Sequence, residues 1–304
     1  MKTVTLAHYY TTKEVQDMAD HVGDSLDLAQ RAKESNAGRI VFAGVRFMAE
    51  TAKMLNPEAE VILPDWNSTC SLVEQTDVFD LWEWRADHPD HVHVMYINSS
   101  VGQKALADYI VTSRNAEPIV QKLLEKGQKV IFSPDRNMGN WLSRKLGVEI
   151  PSWSAVCEVH DQFDRQRLDE SFAKYGGRIP YLIAHPESPM PILEEANYIG
   201  STAGMLDWVD RKTLDDKDIF VATEFELVRM MRERRPDLKI WQVPVIADCR
   251  CNECPYMKLN SAAKVKAAIA GTGGTVINYL DPDMMARAKV PVERMMKFNE
   301  TGKI

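Results

Sequence analysis

The sequence predicts an α/β protein of three repeated α/β domains whose parallel sheets face one shared site. Three observations carry this. A strand pattern recurs about every 88 residues: 4–10, 92–98 and 179–185 are short apolar runs with polar ends. Strands alternate with helical segments along the chain, the order that builds parallel sheets. A P-x-W-x-x-x-C motif occurs as Pro64 to Cys70 and again as Pro151 to Cys157, at matching places in successive repeats.

The elements follow in order. Beyond each first strand stands a pair of capping-type residues: Asp24-Ser25, Thr112-Ser113 and Ser201-Thr202. These open the predicted helices 26–34, 115–125 and 205–213. Ser, Thr and Asp are ordinary N-caps. Three helix N-termini aimed at one point also offer free N–H groups and a favourable dipole to an anion. Second strands follow at 39–45, 129–133 and 218–223, then helices at 47–55, 138–146 and 226–235. A third strand leads to cysteine in each repeat. In the last repeat Pro244 precedes Cys249, Cys251 and Cys254, in a longer loop without the Trp. The tail has a helix pattern from Ser261, then Gly271-Thr272-Gly273-Gly274, a strand at 275–279 and a last helix. It is too short for a fourth repeat and is expected to complete the first domain. The predicted domains are 1–86 with 262–304, then 87–172, then 173–261. A closed arrangement is favoured over a linear array, because arrays use more numerous, shorter repeats.

Composition narrows the function. The 304 residues are 45% hydrophobic and 27% charged, as in ordinary globular proteins. No apolar run approaches the roughly 18 residues of a membrane helix, and the first residues show no signal-peptide pattern. A cytoplasmic location is expected, with no membrane contact. A net charge of −7 and the lack of a long basic run argue against nucleic-acid binding. Five cysteines point to metal or redox work rather than a disulfide framework.

The chemistry gathers at the strand ends, where α/β sheets place their sites. Cys70 and Cys157 fill one slot of the repeat, and the third repeat has cysteines near it. Three thiolates from three loops suit a soft metal or an iron–sulfur cluster, and a cubane on three cysteines keeps one iron without a protein ligand. Cys251 and Cys254 also form C-x-x-C, readable as a redox pair or half a zinc site. His8, Tyr10, Tyr96, Asn98, His185 and Glu187 stand at equivalent strand ends, with His160 three residues after Cys157. Singly each reads as a structural polar group. Together they form one pocket of acids and bases, with Glu187 the candidate base. His88, His91 and His93 lie at a predicted boundary and read as structural. Gly271 to Gly274 lacks the order of a dinucleotide loop.

These residues resemble quinolinate synthase, an iron–sulfur enzyme family of bacterial and archaeal de novo NAD synthesis. The likeness spans essentially the whole chain. It rests on His8-Tyr9-Tyr10, Gln16 to Asp20, Gly23-Asp24-Ser25-Leu26, Gly44 to Glu50, Ser68-Thr69-Cys70, Tyr96 to Ser99, Pro134 to Gly139, His185-Pro186-Glu187, Gly200-Ser201-Thr202, Ala222-Thr223-Glu224 and Cys254 to Asn260. The resemblance implies a pseudo-threefold arrangement of three α/β domains around a [4Fe-4S] cluster. It implies condensation of iminoaspartate with dihydroxyacetone phosphate, with loss of phosphate and water, to give quinolinate. It selects Cys70, Cys157 and Cys254 as cluster ligands. It implies catalytic roles for Glu187, Tyr10, His185 and Tyr96, and substrate contacts for His8, Ser25, Asn98, Ser113, His160, Ser201 and Thr202. Coupling to L-aspartate oxidase or aspartate dehydrogenase is the expected partnership. Another iron–sulfur hydro-lyase on the same layout is the alternative. Asp248 stands where some members carry a further cysteine, and Ser188 where some carry Cys.

Overall fold

Short runs of Val, Ile, Leu and Ala that are polar only at their ends make strands buried on both faces. A parallel sheet covered by helices requires such strands. The computed structural model describes residues 2–174, 180–211, 214, 218–246 and 252–304, and contains three sheets. The first includes β1 (Thr3–His8), β2 (His21–Gly23), β3 (Arg39–Ala43) and β4 (Glu60–Leu63). The second has β5 (His91–Tyr96), β6 (Tyr109–Val111) and β7 (Lys129–Ser133). The third has β8 (Tyr181–Ala184), β9 (Tyr198–Ile199), β10 (Ile219–Ala222) and β11 (Ile240–Gln242).

One order recurs. The unit's first strand is central, between a short second strand and the third, with the fourth outermost: β4-β3-β1-β2 and β11-β10-β8-β9. The second sheet runs β7-β5-β6, and its fourth strand is reduced to parallel bridges Phe132–Ser152 and Asp135–Ala155. All these pairings are parallel. The sequence pattern predicts three strands per unit and misses the short ones. β2, β6 and β9 are only two or three residues long, below the span at which an apolar run is recognisable.

Helices Ser25–Glu34 and Arg46–Leu55, Ala116–Glu125 and Arg136–Leu146, and Thr202–Val209 and Phe225–Arg234 occupy the predicted places. The predicted helix 205–213 starts three residues earlier, and residues 212–213 lie outside the described residues, as does Ile179. The tail divides. Its strand β12 (Thr275–Val276) pairs antiparallel with β4. Gly271 and Gly274 make the turn before it, at φ +72° and +85°. A Cβ on Gly274 would lie 2.6 Å from Ile62 Cγ2, so only glycine fits. The glycine run thus serves a turn. The long helix Pro282–Thr301 then packs against β6 and helix Val101–Lys104, and against helix Arg46–Leu55.

The histidines near residue 90 are packing residues. His93 is fully buried in β5, with Nδ1 3.2 Å from Leu106 O and Nε2 2.7 Å from Ser133 Oγ. His88 Nδ1 meets Trp84 O at 2.7 Å. Burial lowers the His93 pKa from 6.5 to about 4. The folded state then holds His93 neutral where the unfolded chain would protonate it. That stability is present above pH 6.5 and is lost as pH falls toward 4, an effect of about 3 kcal/mol. Denaturant unfolding at pH 7 and pH 4.5 is expected to show this loss in the parent, and a smaller loss in His93→Gln.

Candidate functional site

The C-terminal ends of strands from all three sheets open into one cavity of about 660 Å³, its mouth included. His8 ends β1, and Tyr10 follows it. Tyr96 ends β5, with Asn98 just beyond, and His185 and Glu187 follow β8. Ser25 and Thr202 are the first residues of their helices. These side chains line the cavity, as do Ser113, His160, Cys70, Cys157 and Cys254. Ser201 does not. Its hydroxyl acts as an N-cap, accepting the Gly204 N–H at 3.1 Å. In the second unit Ser113 lies in a turn, three residues ahead of helix Ala116–Glu125. That wall is therefore a turn, whereas the other two are helix ends. Cys249, Cys251 and Asp248 lie outside the described residues.

The three cysteine loops are tied to one another pairwise. Between the Cys70 and Cys157 loops, Gln75 Nε2 donates to Val156 O at 3.0 Å, and Gln75 Oε1 accepts the Val156 N–H at 3.1 Å. Ser71 Oγ accepts the Glu158 N–H at 3.0 Å. Between the Cys157 and Cys254 loops, Asn252 Nδ2 donates to Val159 O. Between the Cys254 and Cys70 loops, Asn260 Nδ2 donates to Gly44 O at 2.8 Å and to Ser68 Oγ at 3.0 Å, and Ser68 Oγ donates to Tyr256 O at 2.9 Å. Asn260 is fully buried. Asn260→Leu removes both of these donations and is expected to lower unfolding free energy by about 2 kcal/mol, read from the denaturant midpoint.

All three cysteines are free. Burial, then the charge of Cys254, pushes the Cys70 thiol far up. Burial, Glu187 and Cys70 do the same to Cys157, and burial raises Cys254 to about 12. Thiols in such a setting ionise only beside a positive group.

Glu187 is the hub of the polar wall. Its Oε2 lies 2.8 Å from His160 Nδ1 and 3.1 Å from His185 Nδ1, and its Oε1 accepts from Asn98 Nδ2 at 3.4 Å. The two imidazoles stack at 4.6 Å. Burial opposes ionisation of Glu187, but His185 and His160 outweigh it and hold the carboxyl below its usual range. Burial lowers the His160 pKa, so a neutral ring with its proton on Nδ1 faces the carboxylate. His160 Nε2 is then an acceptor, 3.3 Å from Thr223 Oγ1, which lies 3.1 Å from the Tyr10 hydroxyl. An unbroken hydrogen-bonded path thus runs from Tyr10 through Thr223 and His160 to Glu187. Burial, then Glu187, pushes the Tyr10 and Tyr96 phenols well up, so both stay protonated. Burial lowers His8 to about 4, and its Nδ1 accepts the Tyr10 N–H at 3.2 Å, which puts its proton on Nε2.

Several site residues were not singled out by the sequence. Thr223 bridges Tyr10 and His160. Lys258 Nζ donates to Tyr10 O at 2.9 Å and pairs with Glu224 at 3.0 Å. Asn137 Nδ2 donates to Glu187 O at 3.0 Å and to Asp161 at 2.8 Å. Each sits inside a motif stretch, the only signal that could have drawn attention to it. The ligand atoms of Cys157, His160 and Glu187 also lie within 4.8 Å of one another, close enough to hold a metal ion.

Comparison with known proteins agrees along the whole length. The family model described as Quinolinate synthetase A protein matches residues 1–297. A curated protein named quinolinate synthase from Synechocystis sp. is 41% identical over 97% of this chain and 91% of its own length. Another from Nostoc sp. is 40% identical over 98% of this chain and 90% of its own, and one from Chloroherpeton thalassium is 40% identical over 99% and 91%. Matched from end to end, with its motif residues drawn into one cavity, the chain belongs to the quinolinate synthetase A family.

Proposed function

We propose that the chain is a quinolinate synthase of de novo NAD biosynthesis. It condenses iminoaspartate with dihydroxyacetone phosphate, losing phosphate and water. The observation that carries this is three buried free thiols and an acid–base chain lining one cavity. The donors fit a [4Fe-4S] cluster held by Cys70, Cys157 and Cys254. No fourth cysteine lines the cavity among the described residues, so one iron would have no protein ligand. When bound, the cluster supplies a Lewis acid for a hydroxyl or carbonyl oxygen.

The protein's own groups do the rest. Glu187, ionised between two imidazoles, is the base, and the Tyr10–Thr223–His160 path links its Oε2 to a protonated phenol that can act as the acid. His185 orients that carboxylate, and Tyr96 offers a protonated phenol. His8, Asn98 and His160 contact substrate. Ser25, Ser113 and Thr202 receive anionic groups, and Ser201 caps the helix that presents Thr202. Each proposed domain (1–86 with 262–304, 87–172, and 173–261) contributes one cysteine. The imine is short-lived in water, so supply by L-aspartate oxidase or aspartate dehydrogenase in the cytoplasm fits this chemistry.

The trio Cys157, His160 and Glu187 favours a second reading, a single metal ion on mixed ligands. That reading uses one thiol and takes Glu187 out of proton transfer. Anaerobic iron and sulfide analysis separates the two. About four of each per chain supports the cluster, whereas one metal without sulfide supports the mixed site. Quinolinate formed from the two substrates supports the activity. A loaded protein that makes none, but dehydrates another hydroxy acid, is the hydro-lyase alternative.

A further inference from the structure

We propose that Arg114 is a positioning residue that cancels the charge of Asp24 beside the wall where the cavity receives anions. This rests on the reading of the site as one for anionic substrates. The described lining holds two carboxylates, Asp24 and Glu187, and no lysine or arginine. The chain as a whole carries −7. An anion must therefore be met by neutral donors: the hydroxyls of Ser25 and Ser113, and the leading N–H groups of helix Ser25–Glu34, which have no acceptor inside the helix.

Asp24 stands at that helix start. Its Oδ1 accepts the Asp27 N–H at 2.9 Å, which fixes the carboxylate beside the same N–H groups. Uncompensated, it would repel any phosphate or carboxylate there. Its Oδ2 lies 2.8 Å from Arg114 Nη2, a side chain from the second unit and the neighbour of Ser113 in sequence. Asp24 is buried, whereas the Arg114 side chain is 47% exposed. So half-solvated a pair contributes little to stability. Capping does not explain the charge either, because asparagine caps as well as aspartate. What the pair changes is the local field. With Arg114 in place the helix start is close to neutral, and the N–H groups and hydroxyls can act on an anion.

The test titrates the anaerobically loaded protein with inorganic phosphate and with dihydroxyacetone phosphate at low salt, by calorimetry. Arg114→Gln is expected to weaken both by about tenfold, the size of one uncompensated charge about 6 Å from a dianion when the half-solvated wall is screened nearly as well as in water. In steady state, KM for the triose phosphate should rise with kcat unchanged. Arg114→Lys should stay within about threefold of the parent. The deciding variant is Arg114→Gln with Asp24→Asn, which removes both charges and keeps the cap. Recovery to within about threefold of the parent supports masking, because loss of a direct substrate contact or of a structural tie is not repaired this way. A double variant as weak as the single, an Arg114→Gln protein that binds like the parent, or a parent that binds neither anion overturns the proposal. A parent that binds phosphate but makes no quinolinate removes the assigned activity and leaves the Arg114 comparison standing.

Discussion

Cys70→Ser is expected to abolish quinolinate formation and to lower bound iron from about four per chain to less than one. Serine is nearly isosteric, and Cys70 makes no side-chain hydrogen bond as cap of its short helix, so the fold has little to lose. Among the described residues the proposed ligand set has no spare member. Cys157 and Cys254 occupy separate loops, and no further cysteine lines the cavity among the described residues. An alcohol does not ionise beside iron as readily as a thiol, and softness of the ligand matters to cluster affinity. The measurement is iron and sulfide content after anaerobic reconstitution, with circular dichroism to verify folding. Retention of four irons by Cys70→Ser would remove Cys70 from the ligand set.

Glu187→Gln is expected to lower kcat by about 10²–10⁴ while iron content stays at the parent level. The amide keeps the volume and the contact to Asn98, and loses the proton-accepting oxygen between His160 and His185. A neutral amide also no longer compensates the dipoles of two imidazole N–H groups. KM should change little, because the proposed anion-binding hydroxyls stand on other elements. Steady-state quinolinate assays separate kcat from KM. Full turnover in Glu187→Gln would end its assignment as base, whatever happens to the metal.

Much of this was legible in the sequence, for identifiable reasons. The central strands and the long helices bury whole faces, so their periodicity is strong. Cys70 and Cys157 were marked by a repeated motif that includes a proline and a tryptophan. Cys254 was different: three cysteines competed within six residues, and family likeness chose among them. Thr223 and Lys258 were not legible as site residues. A threonine after a strand looks like any turn residue, and its partner Tyr10 lies 213 positions away. Lys258 reaches the Tyr10 carbonyl across 248 positions. Such contacts exist only because three sheets turn their ends to one cavity. Ser201 shows the opposite limit. Its type and place suggest a substrate contact, whereas its side chain stands outside the cavity lining and caps its own helix.

The pairing of β12 with β4 bears on how the chain is made. β4 ends at Leu63, and its outer neighbour begins at Thr275. At about 5–20 residues per second, a ribosome needs on the order of 10–40 s to deliver that neighbour after β4 has emerged. Throughout that interval the first sheet presents a bare edge in the nascent chain. The Cys70 loop likewise gains its tie to the Cys254 loop, Asn260 to Ser68, only once that late segment is made. Loading of the proposed cluster, which needs all three cysteine loops, would therefore follow synthesis of nearly the whole polypeptide.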